Sequence, residues 1–456
     1  NQGPGEPFVN AWQTLGLPFN EGDLDGALID VDHDGRLDIS LSRERKYEAS
    51  YTEADQRGWF GLMRQLPDGT FESLGPTSGI NAPSDDALTA SKAPCTSTAD
   101  CPSTEEICHT NGTCKSLLRM KGAQNHAWAD IDHDGDMDYI AMNVGLNTKY
   151  GTPSAKKPSL LYYGDMEGNG RKRLIEAKQD KKGGLVPVRG KSCSTHCMPM
   201  LGDKFPTYRA FAASVLPEIY TEQRLADARQ FKATTFESGA LINDGKGQFT
   251  FQPLPRFAQA APGYGVVATD IDADGRVEVV AVQNMFTREP ETGLWRGGIG
   301  VILESGADGV FRVEPPAETG FIVDGDAKGL TLCDLDADNR PDLVVCQNNG
   351  RLLAWKNRGG GQPLFSVRLN GSPGNRNGIG ARIIAHYTDG TVRAAEMTAG
   401  NGYLSQSQPV VYFNTADTPI RELVIRWPDG ETTKTTPDAK SPAITVSKRL
   451  LSKATR

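Results

Sequence analysis

Four stretches of the chain carry an acid at every second position: 30–38 (DVDHDGRLD), 130–138 (DIDHDGDMD), 270–278 (DIDADGRVE) and 334–342 (DLDADNRPD). Like charges this close repel and would unfold the segment unless a cation neutralised them. Ca²⁺ suits the pattern, because it takes roughly six to eight oxygen ligands in a flexible shell. The expected carboxylate ligands are Asp30, Asp32, Asp34 and Asp38; Asp130, Asp132, Asp134 and Asp138; Asp270, Asp272, Asp274 and Glu278; and Asp334, Asp336, Asp338 and Asp342. The backbone carbonyls of Arg36, Asp136, Arg276 and Arg340 would complete each set, and the Arg36 side chain would face solvent. Gly35, Gly135 and Gly275 allow the bend round the ion, and Asn339 takes that place in the last copy, Asn being tolerant of a left-handed backbone. For one copy an ordinary acidic surface turn is the alternative; four copies make chance a poor explanation. About four Ca²⁺ are therefore expected. A fifth stretch, 165–173 (DMEGNGRKR), keeps the turn but ends on Arg173, and is expected to hold no metal, with Arg173 in the ion's place.

The elements that position these acids are strands. An EF-hand requires a helix on each side and a bidentate Glu at position twelve, where this chain has Leu41, Ala141, Ala281 and Val345. Short apolar, β-branched runs enter and leave every loop, so each loop caps a β-hairpin. Between the loops a second hairpin pattern recurs, as in SGALINDGKGQFTFQPLP and GGIGVILESGADGVFRVEP. Two hairpins make a four-stranded sheet, and repeated four-stranded sheets indicate an all-β fold with a β-propeller over 15–365, of seven blades or six. Uneven loop spacing implies insertions. One is a helical insert at 205–232, broken in two by Pro217, which covers apolar surface or shapes a ligand pocket. The last part, 366–456, reads as a small all-β barrel or sandwich.

The chain has 456 residues, 50 glycines and 28 prolines, which suits a large turn-rich β protein. No apolar run reaches the length of a membrane span. Four divalent ions would cancel the formal charge of −8, so the acidity reflects metal sites, and neither nucleic acid nor an anionic membrane is an expected partner. The first residue, Asn1, is not a methionine, which fits a processed or trimmed chain. Cysteines point to an oxidising compartment: secreted, periplasmic or cell-surface. Cys95, Cys101, Cys108 and Cys114 lie in a segment, 93–116, almost without apolar residues, which needs cross-links to hold a shape. Zinc is the alternative, but the spacing lacks the close pairs of zinc modules. Cys193 and Cys197 are expected to close a small disulfide loop, with His196 between them leaving a metal site as the lesser alternative. Cys333 and Cys346 are expected on opposite faces of their sheet, which speaks against a bond and leaves their pairing open.

The hairpin loops resemble the calcium-binding FG-GAP or VCBS repeats of integrin-type propellers. NRNGIGARI from Asn375, GNGYLSQS from Gly400 and LVIRWPDG ending at Gly430 resemble the ASPIC/UnbV domain, typically found behind such propellers in the cartilage acidic protein group and its bacterial relatives. The segment 95–114 resembles half of an EGF-like module, which implies Cys95 paired with Cys108 and Cys101 with Cys114. In the ASPIC/UnbV-like motifs the glycines serve turn geometry, while Asn375, Arg376, Tyr403, Ser405 and Gln406 are polar groups on two loops that could form one recognition patch.

The chain has no nucleophile elbow, zinc-protease helix, P-loop or dinucleotide fingerprint. His33 and His133 occupy the fourth position of acidic loops, where a solvent-facing side chain is expected. His126 is the one candidate for a pocket base, against the commoner packed or exposed histidine. The leading expectation is an extracellular calcium-binding module for a protein, carbohydrate or small-molecule ligand, with calcium structural. The alternative is a calcium-dependent enzyme with its site on the propeller face or at the junction with the C-terminal domain.

Overall fold

The computed structural model describes residues 23–29, 38–43, 60–68, 70–73, 106–108, 114–116, 119–120 and 125–448, apart from 246–247, 288–292, 294, 307–309, 360 and 401 within the last stretch. The chain is all-β with a few short helices. Strands Asp23–Ile29, Asp38–Arg43, Phe60–Gln65 and Phe71–Ser73 form one antiparallel meander. Strands Gly263–Thr269, Glu278–Gln283, Val301–Ser305 and Phe311–Val313 form another, and Ala327–Cys333, Asp342–Gln347 and Leu353–Trp355 a third of three strands. A further four-stranded sheet is split in sequence: Asn125–Ala129 and Asp138–Met142 pair with each other, and the second of them pairs with Gly239–Asn243, beyond a long insertion. The two ends of that insertion are clasped, Asn143 N donating to Ser238 Oγ at 3.0 Å and Gly145 N to the Phe236 carbonyl at 2.8 Å. The described strands thus carry four units of the expected repeat and make no closed ring.

Packing between sheets explains why Glu278–Gln283 is buried along its whole length. Alternate residues of a strand face opposite ways. Val279 and Ala281 pack with Val266, Ile140 and Met142 in one core, while Val280 and Val282 pack with Leu330, Leu343 and Val345 in the other. The sheet is therefore sandwiched between its two neighbours, and its first strand lies beside theirs. Gly265 makes this approach possible: a Cβ there would sit 2.7 Å from the Leu330 nitrogen and 2.8 Å from the Lys328 carbonyl oxygen.

The insertion builds a sheet ordered Leu185–Pro187, Arg173–Gln179, Ser159–Gly164 and Arg229–Ala233, to which Arg119–Met120, from before Asn125, adds a parallel edge strand. Five short helices cover it. Phe211, Leu216, Ile219, Tyr220 and Leu225 pack onto Tyr162, Ile175 and Ala177, so the helices bury the sheet's apolar face. Pro217 lies in the first turn of the helix Leu216–Tyr220 and begins it, where a missing N–H costs nothing. Helix also extends upstream of the expected bounds, to Lys191–Cys197 and Met200–Lys204. Cys193 and Cys197 fall one turn apart in the first of these, and no disulfide joins them. A helical turn holds such Cβ atoms about 5–6 Å apart, whereas a disulfide needs about 3.5–4.5 Å, so the expected small loop is replaced by helix. Cys333 lies opposite Asp342 and Cys346 opposite Gly329, so the two cysteines share a sheet face instead of falling on opposite ones, and their separation along the strands leaves no bond between them. In the cysteine-rich segment, Glu106–Cys108 pairs with Cys114–Ser116; its sulfurs, with Cys95 and Cys101, lie outside the described residues.

The C-terminal domain is two packed sheets. Phe365–Asn370 lies between Val411–Phe413 and Ala443–Ser447, and Arg382–Tyr387 lies between Val392–Glu396 and Ile420–Arg426, with Thr432–Thr435 at the edge. Phe365, Val367 and Leu369 from one sheet meet Ile383, Ala385, Leu423, Ile425 and Trp427 from the other, an every-second-residue pattern that makes one core.

Candidate metal centre

One backbone frame recurs in every acidic hairpin. The residue before the first aspartate pairs with the acid at position nine: Ile29 with Asp38, Ala129 with Asp138, Thr269 with Glu278 and Cys333 with Asp342. The fifth copy keeps the frame, Gly164 pairing with Arg173. Position four is left-handed at His133, Ala273 and Ala337 (φ 65°, 65° and 61°), and position six at Gly135, Gly275 and Asn339 (φ 94°, 92° and 61°). Two left-handed residues so close curl the chain and turn its alternate carboxylates inward. The interior of the first loop, with Asp30, Asp32, His33, Asp34 and Arg36, lies outside the described residues.

The other three loops each gather three carboxylates with oxygens within 4.8 Å of one another: Asp130, Asp132 and Asp134; Asp270, Asp272 and Glu278; Asp334, Asp336 and Asp342. The position-one acids accept backbone N–H groups from their own loop, as Asp270 does from Asp274 (3.1 Å) and Gly275 (2.9 Å). Position nine ties loop to sheet. Asp138 accepts Ile131 N and Asn243 N, both at 2.8 Å, and Asp342 accepts Leu335 N and Asn357 N, both at 2.7 Å. Asn243 and Asn357 come from the third strand of their sheets or just beyond it, and sequence reasoning missed them; the only local signal is an Asn following the apolar run in LIND and AWKN.

Burial pushes these carboxyls well above the usual range, and their neighbours' charges add to it: Asp130 and Asp270 to about 6, Asp138 to about 8 and Glu278 to about 9. Glu278 Oε2 accepts Ile271 N at 2.8 Å, while its buried Oε1 has no hydrogen-bond partner. Clustered carboxylates, an orphaned buried oxygen and an all-oxygen donor set fit a hard divalent cation. Asp274 and Asp338 at position five instead accept the amides of Arg276 and Arg340 at 2.8 and 2.9 Å. The Arg276 side chain pairs with Asp274 and Glu304, and Arg340 donates to the Gly361 carbonyl.

The fifth loop is closed by protein groups. Asp165 accepts four backbone N–H groups, from Glu167, Gly168, Asn169 and Gly170. Arg173 pairs with Glu167 at 2.7 Å. A second guanidinium, that of Arg224 on the helix Glu222–Asp227, donates to the carbonyls of Met166 and Glu167 at 2.6 and 3.0 Å.

The C-terminal domain sits on the acidic loops. Ala394 N donates to Asp130 Oδ2 at 3.1 Å, Arg382 to the Gly135 carbonyl, and Asn414 Nδ2 to the Ala273 carbonyl at 2.6 Å. Gln408 Oε1 accepts Asp334 N at 3.0 Å, and Ser366 Oγ reaches Asn339 Oδ1 at 2.7 Å. Between the Asp130 and Asp270 loops and this domain lies a cavity of about 330 Å³. His133 lines it rather than facing solvent, because the domain closes over its loop; burial and the Arg393 charge push its imidazole down to about 4. His126 is packed on Tyr139 and buried, its pKa also pushed down to about 4, so it is no pocket base. Of the five polar residues of the suspected patch, Tyr403, Ser405 and Gln406 share one joint with the strand Ala327–Cys333 and its neighbour, apart from the turn that holds Asn375 and Arg376. Asn375 closes its own turn through Ile379, and Arg376 is exposed. Tyr403 packs edge-on to Tyr264, Ser405 donates to the Leu330 carbonyl at 2.9 Å, and the Gln406 carbonyl accepts Thr331 Oγ1 at 2.7 Å.

Among curated proteins the chain is similar to cartilage acidic protein 1 of Mus musculus, 24% identical over 190 residues, and of Homo sapiens, 23% identical over 190 residues. Each match covers 41% of this chain but only 29% and 28% of those proteins, so it spans less than a third of their length. Among solved structures, a rhamnogalacturonan lyase, YesW, overlaps 88% of this chain and 70% of its own at 12% identity, with a TM-score of 0.18. A score that low supports no conclusion about fold or activity. No helix among the described residues is long and apolar enough to cross a membrane. Residues 371–449 match the ASPIC and UnbV family model, so the two-sheet unit resting on the acidic loops carries an ASPIC/UnbV domain.

Proposed function

We propose that the chain is a secreted or cell-surface calcium-binding module in which FG-GAP-like loops hold structural Ca²⁺ and a β-propeller, of seven blades or six, presents an extracellular ligand site together with the ASPIC/UnbV domain. One observation carries the reading: the same left-handed, carboxylate-gathering loop stands at the first turn of successive sheets that pack face to face. That layering is what neighbouring propeller blades require. The weak similarity to cartilage acidic protein 1 and the ASPIC/UnbV match fit the family group that the loops resemble.

The enzyme reading gains the junction cavity but lacks a base. The lining groups whose titration is shifted toward neutrality, Asp130 and Asp270, belong to the acidic loops, and His133 is shifted away from it. Equilibrium dialysis against calcium, with elemental analysis, tests the proposal. About four ions per chain are expected, together with a melting temperature that falls on chelation. A protein that retains no calcium at millimolar concentration and melts identically in chelator would exclude it.

A further inference from the structure

The cleft between the acidic loops and the ASPIC/UnbV domain has the size of a small-molecule site, about 330 Å³, near the lower end of the usual range of roughly 300–1,000 Å³. Arg393, on strand Val392–Glu396, is the telling group in its wall. Its guanidinium has one hydrogen bond among the described residues, to the adjacent Val392 carbonyl at 3.3 Å, and no ion pair. Its charge acts on the buried Asp130 carboxyl but closes no ion pair with it, and a planar guanidinium favours a carboxylate or phosphate. The rest of the wall chooses between these. Asp389 and Asp417 face the same space, with Asp130, Asp270, Asp274 and Glu396 in the rest of the wall, so a dianion would be repelled, whereas hydroxyl groups could donate to the oxygens of Asp389 and Asp417. The Tyr387 ring supplies an apolar wall, its hydroxyl being held by the Asn414 carbonyl at 2.9 Å.

We propose that this cleft binds a hydroxylated monocarboxylate the size of one uronic sugar, its carboxylate paired with Arg393 and its hydroxyls donating to Asp389 and Asp417. The proposal rests on the binding-module reading and names the ligand class for it. Calorimetric titration of the full chain in calcium with D-glucuronate, D-glucose and inorganic phosphate tests it. Saturable glucuronate binding is expected, about tenfold or more weaker for glucose and for the Arg393→Gln variant. Asp417→Asn, on an exposed residue, should weaken it a few-fold with the melting temperature unchanged. Absence of saturable glucuronate binding up to about 10 mM, equal binding of glucose, tighter binding of phosphate, or full affinity in a folded Arg393→Gln variant would each overturn the proposal. The chelator melt without sugar judges the calcium reading separately, so the two failures are distinguishable.

Discussion

Glu278 is where metal chemistry and stability meet in one side chain. Without an ion its carboxyl is buried, raised to about 9 and half unpartnered. Replacing it with Gln keeps the bond to Ile271 N but removes a proposed calcium ligand. In millimolar calcium, Glu278→Gln should therefore lose one site's contribution, roughly 0.4–1.4 kcal/mol for a Kd on the order of 10⁻³–10⁻⁴ M. In chelator the same change should raise the melting temperature, because the buried carboxyl must take up a proton on folding and Gln needs none. Scanning calorimetry of both states checks the crossover, and an equal loss in both would show a purely structural carboxylate. The pH profile has a sign as well. Asp130, Asp270, Asp138 and Glu278 have folded-state pKa values above their ordinary ones, so their contribution is fully present below about pH 4 and is lost as pH rises through about 6, 8 and 9. His126, lowered to about 4, works the other way and loses stability as pH falls from about 6.5. His133 acts like His126, but four carboxyls outweigh two histidines, so the chelated protein should be most stable near pH 4 and weaken steadily toward pH 9, and calcium should flatten the alkaline slope. A chelated protein that gained stability from pH 6 to 9 would contradict this assignment.

At the scale of elements, close approach between first strands rests on Gly265. Adding a methyl group there forces backbone apart, and Gly265→Ala should cost about 1–3 kcal/mol, read from the denaturation midpoint; a neutral result would mean that the neighbouring strand can move. The acidic hairpins were legible in the sequence because every signal in them is local: alternating acids, a left-handed Gly or Asn, and β-branched flanks within a dozen residues. So were the main strands of the C-terminal domain, whose inward residues alternate visibly. What escaped was long-range. Nothing near Asp138 reveals that Asn243 will reach its carboxylate, and nothing near Asp165 reveals that Arg224, far along the chain, will fill its loop. Cys193 and Cys197 misled for the same reason, since their spacing allows a tight loop until the surrounding residues are seen to pack as helix over the inserted sheet.

Across the whole molecule, the ASPIC/UnbV domain and the acidic loops share hydrogen bonds, so the proposed ion binding would be linked to domain docking. The amide of Ala394 and the side chains of Arg382 and Asn414 grip the two loops that bound the cavity. Chelation should therefore loosen the domain as well as the loops. Small-angle scattering should record a larger radius of gyration in chelator, and Arg382→Ala should reproduce part of that expansion in calcium. An unchanged scattering curve would mean that docking is independent of the ions.

The split sheet has a consequence for the order in which the protein can be made. The strand Asp138–Met142 leaves the ribosome with its partner Gly239–Asn243 still untranslated, the clasp residues Asn143 and Ser238 being 95 positions apart. At cellular synthesis rates that gap lasts on the order of ten seconds. Throughout it one edge of the strand is unpaired, an invitation to wrong partners. The inserted segment forms its core from its own residues, so it can fold during the wait and draw its two ends together, and the nascent chain would then complete an early sheet late, by closing a gap that the insertion has already bridged.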